Sequence, residues 1–289
     1  MRPTSLLRRR FSQLAAVFPL LAAASSGQDH TQPELKPANE LLVLGVNVAL
    51  GGLTAGATRA LAGGSFWEGF SGGALGGGTV YIGKRIVATN QPLAGWAGRE
   101  LAAVGSSAIA NVAFGRGAYD RLVFPVGPIR LYLDAPPHRQ VRPKLDLAAT
   151  LLTIQAATDH DVSFSVEESL LAGAIVFAIK PNANVGYRGS QSAGVLRSKA
   201  GLYEVTAFPV NGEAVLAHEL VHAIQYDFSF IAWAEPAESW LMTRIPRGAW
   251  FHRYLDLGLN VPVWWGLNSA IKYENRPWER EAVTLVRQE

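Results

Sequence analysis

The chain has 289 residues, 49% apolar and 17% charged, with 26 lysines and arginines against 23 acidic residues for a formal charge of +3. That balance provides core for one large domain or two small ones and excludes disorder beyond short segments. The basic excess sits in Arg2, Arg8, Arg9 and Arg10, so the remainder is near neutral and offers nucleic acid no electrostatic footing. There are no cysteines, which excludes disulfides, thiolate metal sites and thiol catalysis and leaves histidine and carboxylate as metal ligands.

In chain order, Arg8-Arg9-Arg10, the apolar run Leu14 to Ala24 and the small residues Ala22-Ala23-Ala24 read as a secretory signal over residues 1–24. The expectation is an exported protein of the periplasm or cell envelope. Residues 25–40, polar and containing Pro33 and Pro37, read as a linker. Residues 41–118 form a Gly-rich hydrophobic helical region that holds more than half of the 29 glycines. Small residues recur at every fourth position, in the row Gly52, Gly56, Ala60, Gly64 and in the row Gly69, Gly73, Gly77 beside Gly72 and Gly76. This spacing lets helix backbones approach closely. Leu41 to Thr58, Phe70 to Ile82 and Leu101 to Phe114 are the apolar stretches. Each is short for a bilayer span or carries polar residues, so the region reads as packed soluble helices or as a unit that associates with a membrane through residues 41–117.

After Pro125 the pattern turns to strands, expected at Pro128–Asp134, Lys144–Ile154, Val162–Val166, Ala172–Ile179 and Leu202–Phe208. Lys144 to Thr158 suits a helix equally, since its Leu, Ala and Thr residues do not fix a period. From Asn211 onward the chain reads as helical, with Asn211-Gly212-Glu213 as a start signal and breaks at Pro246-Arg247-Gly248, Pro262 and Pro277. The expected fold class is α+β, with a sheet packed on a central helix within residues 119–289.

That central helix carries the chain's most specific chemistry. Residues 215–224 read V-L-A-H-E-L-V-H-A-I, placing His218, Glu219 and His222 in H-E-x-x-H spacing. Positions i and i+4 of a helix share a face, so both imidazoles reach one metal ion while Glu219 stands beside them within reach of a metal-held water. Leu216, Ala217, Leu220, Val221, Ala223 and Ile224 enclose the motif, and enclosed imidazoles beside a carboxylate need a partner. Two histidines leave a catalytic zinc site one protein ligand short. Gln225 and Phe228 stand where the metzincin pattern has its glycine and third histidine, so the remaining ligand lies further along.

Glu279-Arg280-Glu281-Ala282 supplies an E-x-x-A stretch. Together with H-E-L-V-H-A-I-Q-Y at 218–226 it resembles the gluzincin class of zinc metallopeptidases, and a pairing found in bacterial envelope H-E-x-x-H proteins. The resemblance covers these two stretches and implies a zincin-like domain over residues 119–289, Zn2+ as cofactor, Glu219 as the catalytic base and Glu279 as third ligand. Pro277 suits the opening of a helix with Glu279 in its first turn. Spacing favours Glu235 or Glu238 instead, because a turn at Asp227 to Phe230 would bring them back to His222 as in thermolysin-like enzymes. His252 and Glu281 are further candidates. Tyr226 and Tyr273 are candidate donors to an oxyanion. Six of the eight tryptophans follow residue 230 and suit a core, a substrate groove or a membrane interface.

The function expected on these grounds is zinc-dependent hydrolysis of a peptide or protein substrate by an exported metallopeptidase-like protein, with no nucleic acid partner. The alternative is an envelope-associated structural or interaction protein built on glycine-zipper helices, with a structural or degenerate metal site.

Overall fold

Asn39 and Ser65 open two long helices in a computed structural model that describes residues 38–137, 139–158, 162–179, 195–198, 212–272 and 275–286. The expected signal, the expected linker as far as Pro37, the expected strand Leu202–Phe208 and Tyr273 lie outside the described residues. Helix α1 (Glu40–Leu61) begins where the Asn39 side chain accepts a hydrogen bond from Leu41 N at 2.9 Å. Helix α2 (Phe66–Ala88) begins where Ser65 accepts from Glu68 N at 3.4 Å. Acidic residues in the first turns, Glu40 and Glu68, and basic ones in the last, Arg59 and Arg85, complement the helix dipoles. Helix α3 (Ala94–Ala113) completes the group. All three are longer than the apolar stretches that announced them, and the starts of α1 and α2 are set by the Asn39 and Ser65 caps rather than by hydropathy.

The glycines of α2 divide between two neighbours. A Cβ on Gly73 would strike the Gly51 carbonyl and the Ala55 methyl of α1, and one on Gly83 would strike the Gly98 carbonyl of α3. The close row on α1 is therefore Asn47, Gly51, Ala55, one residue away from the expected Gly52 and Gly56 row, which receives the rings of Phe70 and Phe66.

Two small sheets follow. Strands β1 (Arg121–Val126), β2 (Ile129–Asp134) and β3 (Val141–Asp146) form an antiparallel meander. Sequence reading missed β1 because it contains Pro125, which is tolerated since β1 is an edge strand. The stretch Lys144–Ile154 is not one strand. Asp146 divides it, its carboxylate accepting from Ala149 N at 2.9 Å to start helix α4 (Leu147–Thr158). Strand β4 (Val162–Ser165), helix α5 (Val166–Ala172), strand β5 (Val176–Ile179) and strand β6 (Val195–Ser198) come next. The expected strand at Ala172 starts later because α5 ends there and Gly173 turns the chain with φ of 66°. In the second sheet β5 pairs antiparallel with β4 and parallel with β6.

The motif helix α6 (Gly212–Ser229) continues through a π-turn (Phe230–Ala234) into α7 (Glu235–Met242). Helix α8 (Gly248–His252) and strand β7 (Leu255–Asp256) follow, β7 pairing parallel with β3 to complete the four-stranded sheet. Helix α9 (Asn260–Ala270) and helix α10 (Pro277–Val286) end the described chain. Pro246-Arg247-Gly248 and Pro277 fall at helix boundaries as expected, whereas Pro262 lies within the first turn of α9 rather than breaking a helix. The class is α+β, mostly helical with small sheets.

Helix α6 is enclosed by α2, α3, α10 and β6. One apolar core runs from Val43, Ala55, Val80 and Ile109 through Val176 to Leu220, Val221, Ile224 and Leu285, so the Gly-rich helices and the motif helix share it. The glycines of α1 and α2 therefore differ in consequence. Gly45 has open space around its Cα, and Gly45→Ala is expected to raise stability by roughly 0.5–1 kcal/mol through helix propensity. Gly73→Ala is expected to lower it by about 1–3 kcal/mol through overpacking. Chemical denaturation of the two variants checks both signs.

Candidate metal centre

Three ligand atoms converge where α6 meets α10. His218 Nε2 and His222 Nε2 are 3.0 Å apart. Glu279 Oε2 lies 3.1 Å from the His222 nitrogen and 3.4 Å from the His218 nitrogen. A tetrahedral zinc with bonds of about 2.0–2.1 Å separates its ligand atoms by about 3.3–3.4 Å, so the triangle fits such an ion with small adjustment. The i,i+4 spacing sets the two rings edge to face on one side of the helix, and Pro277, the first residue of α10, sets Glu279 in that helix's first turn.

Burial and charge set the proton affinities here. Desolvation lowers His218 to about 4. Burial works against charging His222 as well, but the Glu279 carboxylate overrides it and raises that ring to about 9. Burial would push Glu279 up, yet the neighbouring histidines hold it well below the usual carboxylate range. Glu219 is fully buried and near enough to add to the proton affinity of His222. Arg276 approaches the second Glu279 oxygen at 3.9 Å.

The other candidate residues are placed elsewhere. The chain does not turn back at Asp227 to Phe230; it stays helical, so at about 1.5 Å per residue Glu235 and Glu238 are carried roughly 20 Å or more along the axis from His222. The Glu238 carboxylate accepts from Leu257 N at 2.7 Å and Leu259 N at 2.8 Å. Burial raises it to about 7, with those two N–H groups pulling the other way. His252, Asp256 and Glu238 lie within ligand distance of one another, but the Lys144 ammonium already stands among them, 2.9 Å from Asp256 and 3.4 Å from His252. Glu235 lines a cavity of about 330 Å³ between α3 and α7, together with Asn111, Arg116, Arg121, Phe230 and Trp240, and no residue of the histidine pair or Glu279 lines it. Tyr226 is buried within electrostatic range of Arg130. Trp264, partly buried, packs edge-on against Trp278 and donates to Ser229 at 2.7 Å.

Sequence reading missed what surrounds the triangle. Gln225 Oε1 lies 2.7 Å from His222 Nδ1, and Gln225 Nε2 donates to Glu281 at 2.7 Å. Glu281 is met from the far side by Lys84 at 2.8 Å and Asn47 at 2.6 Å, and these partners keep its carboxyl below the ordinary range although burial pushes it up. Glu281 is thus an interior anchor beside the centre. The available signal was an asparagine and a lysine inside helices whose other charged residues, Glu40, Arg59, Glu68 and Arg85, fall in the first and last turns.

These placements separate the carboxylates experimentally. Glu279→Ala is expected to abolish stoichiometric zinc binding. Glu238→Ala is expected to leave zinc affinity unchanged and to lower stability by roughly 1–3 kcal/mol through two orphaned N–H groups. Chelator competition and denaturation, run on both variants, read the two effects separately. Comparison of the chain with protein-family models, with curated proteins and with solved structures finds no match.

Proposed function

We propose that the protein is an exported, zinc-dependent peptidase of gluzincin-like type acting on a peptide or protein substrate. The observation that carries the reading is the convergence of His218, His222 and Glu279 ligand atoms to within 3.4 Å of one another beside the buried carboxylate of Glu219. A zincin-like arrangement is supported by the three-stranded sheet, whose edge strand β6 packs along the motif helix. His218 and His222 would hold the ion through Nε2 and Glu279 through Oε2. When bound, zinc supplies Lewis acidity toward a peptide carbonyl and toward water. Glu219 takes a proton from the attacking water on its carboxylate and passes it to the departing amine nitrogen. The enclosure of α6 by α2, α3 and α10 keeps bulk water from the floor of the site and strengthens every charge interaction there. Glu219→Gln is expected to bind zinc like the wild type while losing peptide hydrolysis at least about 100-fold, because the amide keeps the shape and lacks the base. Paired metal analysis and peptide-cleavage assays read the two halves, and retained cleavage would remove Glu219 from its role.

A second reading, association with the envelope, rests on the outer face of α1. Leu41 (76% exposed) and Leu42 (60% exposed) continue through Val46, Leu50 and Leu53, with no charged residue between Glu40 and Arg59. Among the described residues α1 is also the one helix long and apolar enough to cross a membrane, although a third of its apolar window is buried inside the protein. On this reading the protein sediments with membranes after a high-salt wash and Leu42→Glu/Leu50→Glu releases it. Recovery of the unmodified protein wholly in the soluble fraction would rule the association out.

A further inference from the structure

The amide of Gln225 fixes the chemical form of the His222 ring. Its Nε2 donates to the Trp278 carbonyl at 3.1 Å and to Glu281 Oε2 at 2.7 Å. Both acceptors need an N–H donor, so the NH2 end must face them and the oxygen end must face His222 Nδ1, 2.7 Å away. An amide oxygen can only accept. Nδ1 therefore carries the proton of that bond, and the lone pair of the neutral ring falls on Nε2, the atom that meets His218 and Glu279.

The amide is itself held. Glu281 Oε2 receives Gln225, and Oε1 accepts from Lys84 Nζ at 2.8 Å and Asn47 Nδ2 at 2.6 Å. Lys84 also donates to Asn47 Oδ1 at 2.9 Å, and Asn47 Nδ2 to the Val43 carbonyl at 2.9 Å. Lys84 and Asn47 are buried, on α2 and α1. A lysine in such a place has lost its water and faces one carboxylate, whose other oxygen receives Gln225.

We propose that Asn47, Lys84, Glu281 and Gln225 form a positioning relay that sets the tautomer and orientation of His222 for metal binding, so that the Gly-rich helices are a working part of the metal centre. The relay rests on the reading of His218, His222 and Glu279 as zinc ligands. None of the four belongs to the group of ligand atoms that would hold the ion. Outer partners of ligating histidines are worth about 10–100-fold in metal affinity, and two of these partners come from helices more than 130 residues away in the chain.

The test uses the full chain and zinc alone, titrated against a chromogenic chelator, with cobalt absorption as a reporter of ligand geometry and circular dichroism to certify folding at the assay temperature. Gln225→Met is expected to weaken zinc by about 10–100-fold and to change the cobalt spectrum. Lys84→Met is expected to do the same to a lesser degree, although it contacts neither histidine. The exchanged pair Gln225→Glu/Glu281→Gln keeps an acceptor on Nδ1 and a carbonyl toward Lys84 but loses the donor to the Trp278 carbonyl, and is expected to recover part of the affinity that Gln225→Met loses. A purely structural ion pair would lower the unfolding temperature and leave the affinity of the folded protein untouched. Wild-type zinc affinity and cobalt spectrum in folded Gln225→Met would overturn the relay, and should Lys84→Met fail to fold, Gln225→Met and the exchanged pair decide. If wild type and His218→Ala alike bind no zinc, the ligand reading falls and the relay with it. Zinc bound by wild type, lost in His218→Ala and unchanged in Gln225→Met overturns the relay alone.

Discussion

The guanidinium of Arg130 has no exposure to water and is matched by two carboxylates, Asp227 at 2.8 Å and Asp146 at 3.0 Å. Removing these ions from water costs several kcal/mol each, so the cluster persists only while its geometry is kept. That geometry ties three elements together. Asp227 belongs to the motif helix, Arg130 to the central part of the four-stranded sheet, and Asp146 to the point where a strand becomes a helix. Arg99 joins from α3, 3.1 Å from the other Asp227 oxygen, and also donates to the Gly173 carbonyl. The face of Phe230 lies against the Arg130 guanidinium, 4.8 Å from its central carbon. The motif helix is thus pinned in rotation and height little more than a turn beyond His222, which is what a site built from two of its side chains requires.

Close backbone contact between α1 and α2 serves the same end from the other side. A side chain at Gly77 would collide with the Asn47 carbonyl, so the missing atoms let Asn47 and Lys84 meet over one carboxylate. Glycine spacing that resembles a membrane device operates here as a way to bring two polar side chains into an apolar interior. The crossing and the ion pair support each other. Without the crossing the lysine has no partner, and without the partner a cation would sit dry among small residues.

The legible parts of the sequence were those whose cause is local. The i,i+4 histidines, the boundaries at Pro277 and at Pro246-Arg247-Gly248, and the pleated run ending at Asp134 each depend on neighbours within a turn or a strand. The E-x-x-A stretch pointed to Glu279, and the structure brings that residue to the two histidines. What was hidden depends on distance along the chain. Lys84 and Glu281 are 197 positions apart, and nothing in either neighbourhood announces the other. The strand at Arg121–Val126 was obscured by a proline that only an edge position permits. The alternative hairpin after Asp227 failed for a different reason. Serine and aspartate there resemble turn formers, but both are buried in tertiary contacts, Asp227 with two arginines and Ser229 with Trp264.

The π-turn at Phe230–Ala234 takes the place of that hairpin. A wide turn of this kind inserts one residue into the helical repeat, which rotates everything after it by about 100° relative to an uninterrupted helix. The long helix therefore consists of two segments out of phase, one addressed to α10 and the other to the loop before α9. Each half can accept substitutions on its own face without disturbing the other, but the count of residues between them is fixed. Loss of a single residue there would swing Glu238 away from Leu257 and Leu259 while leaving every side chain of the histidine face unchanged in identity, a lesion in phase rather than in chemistry.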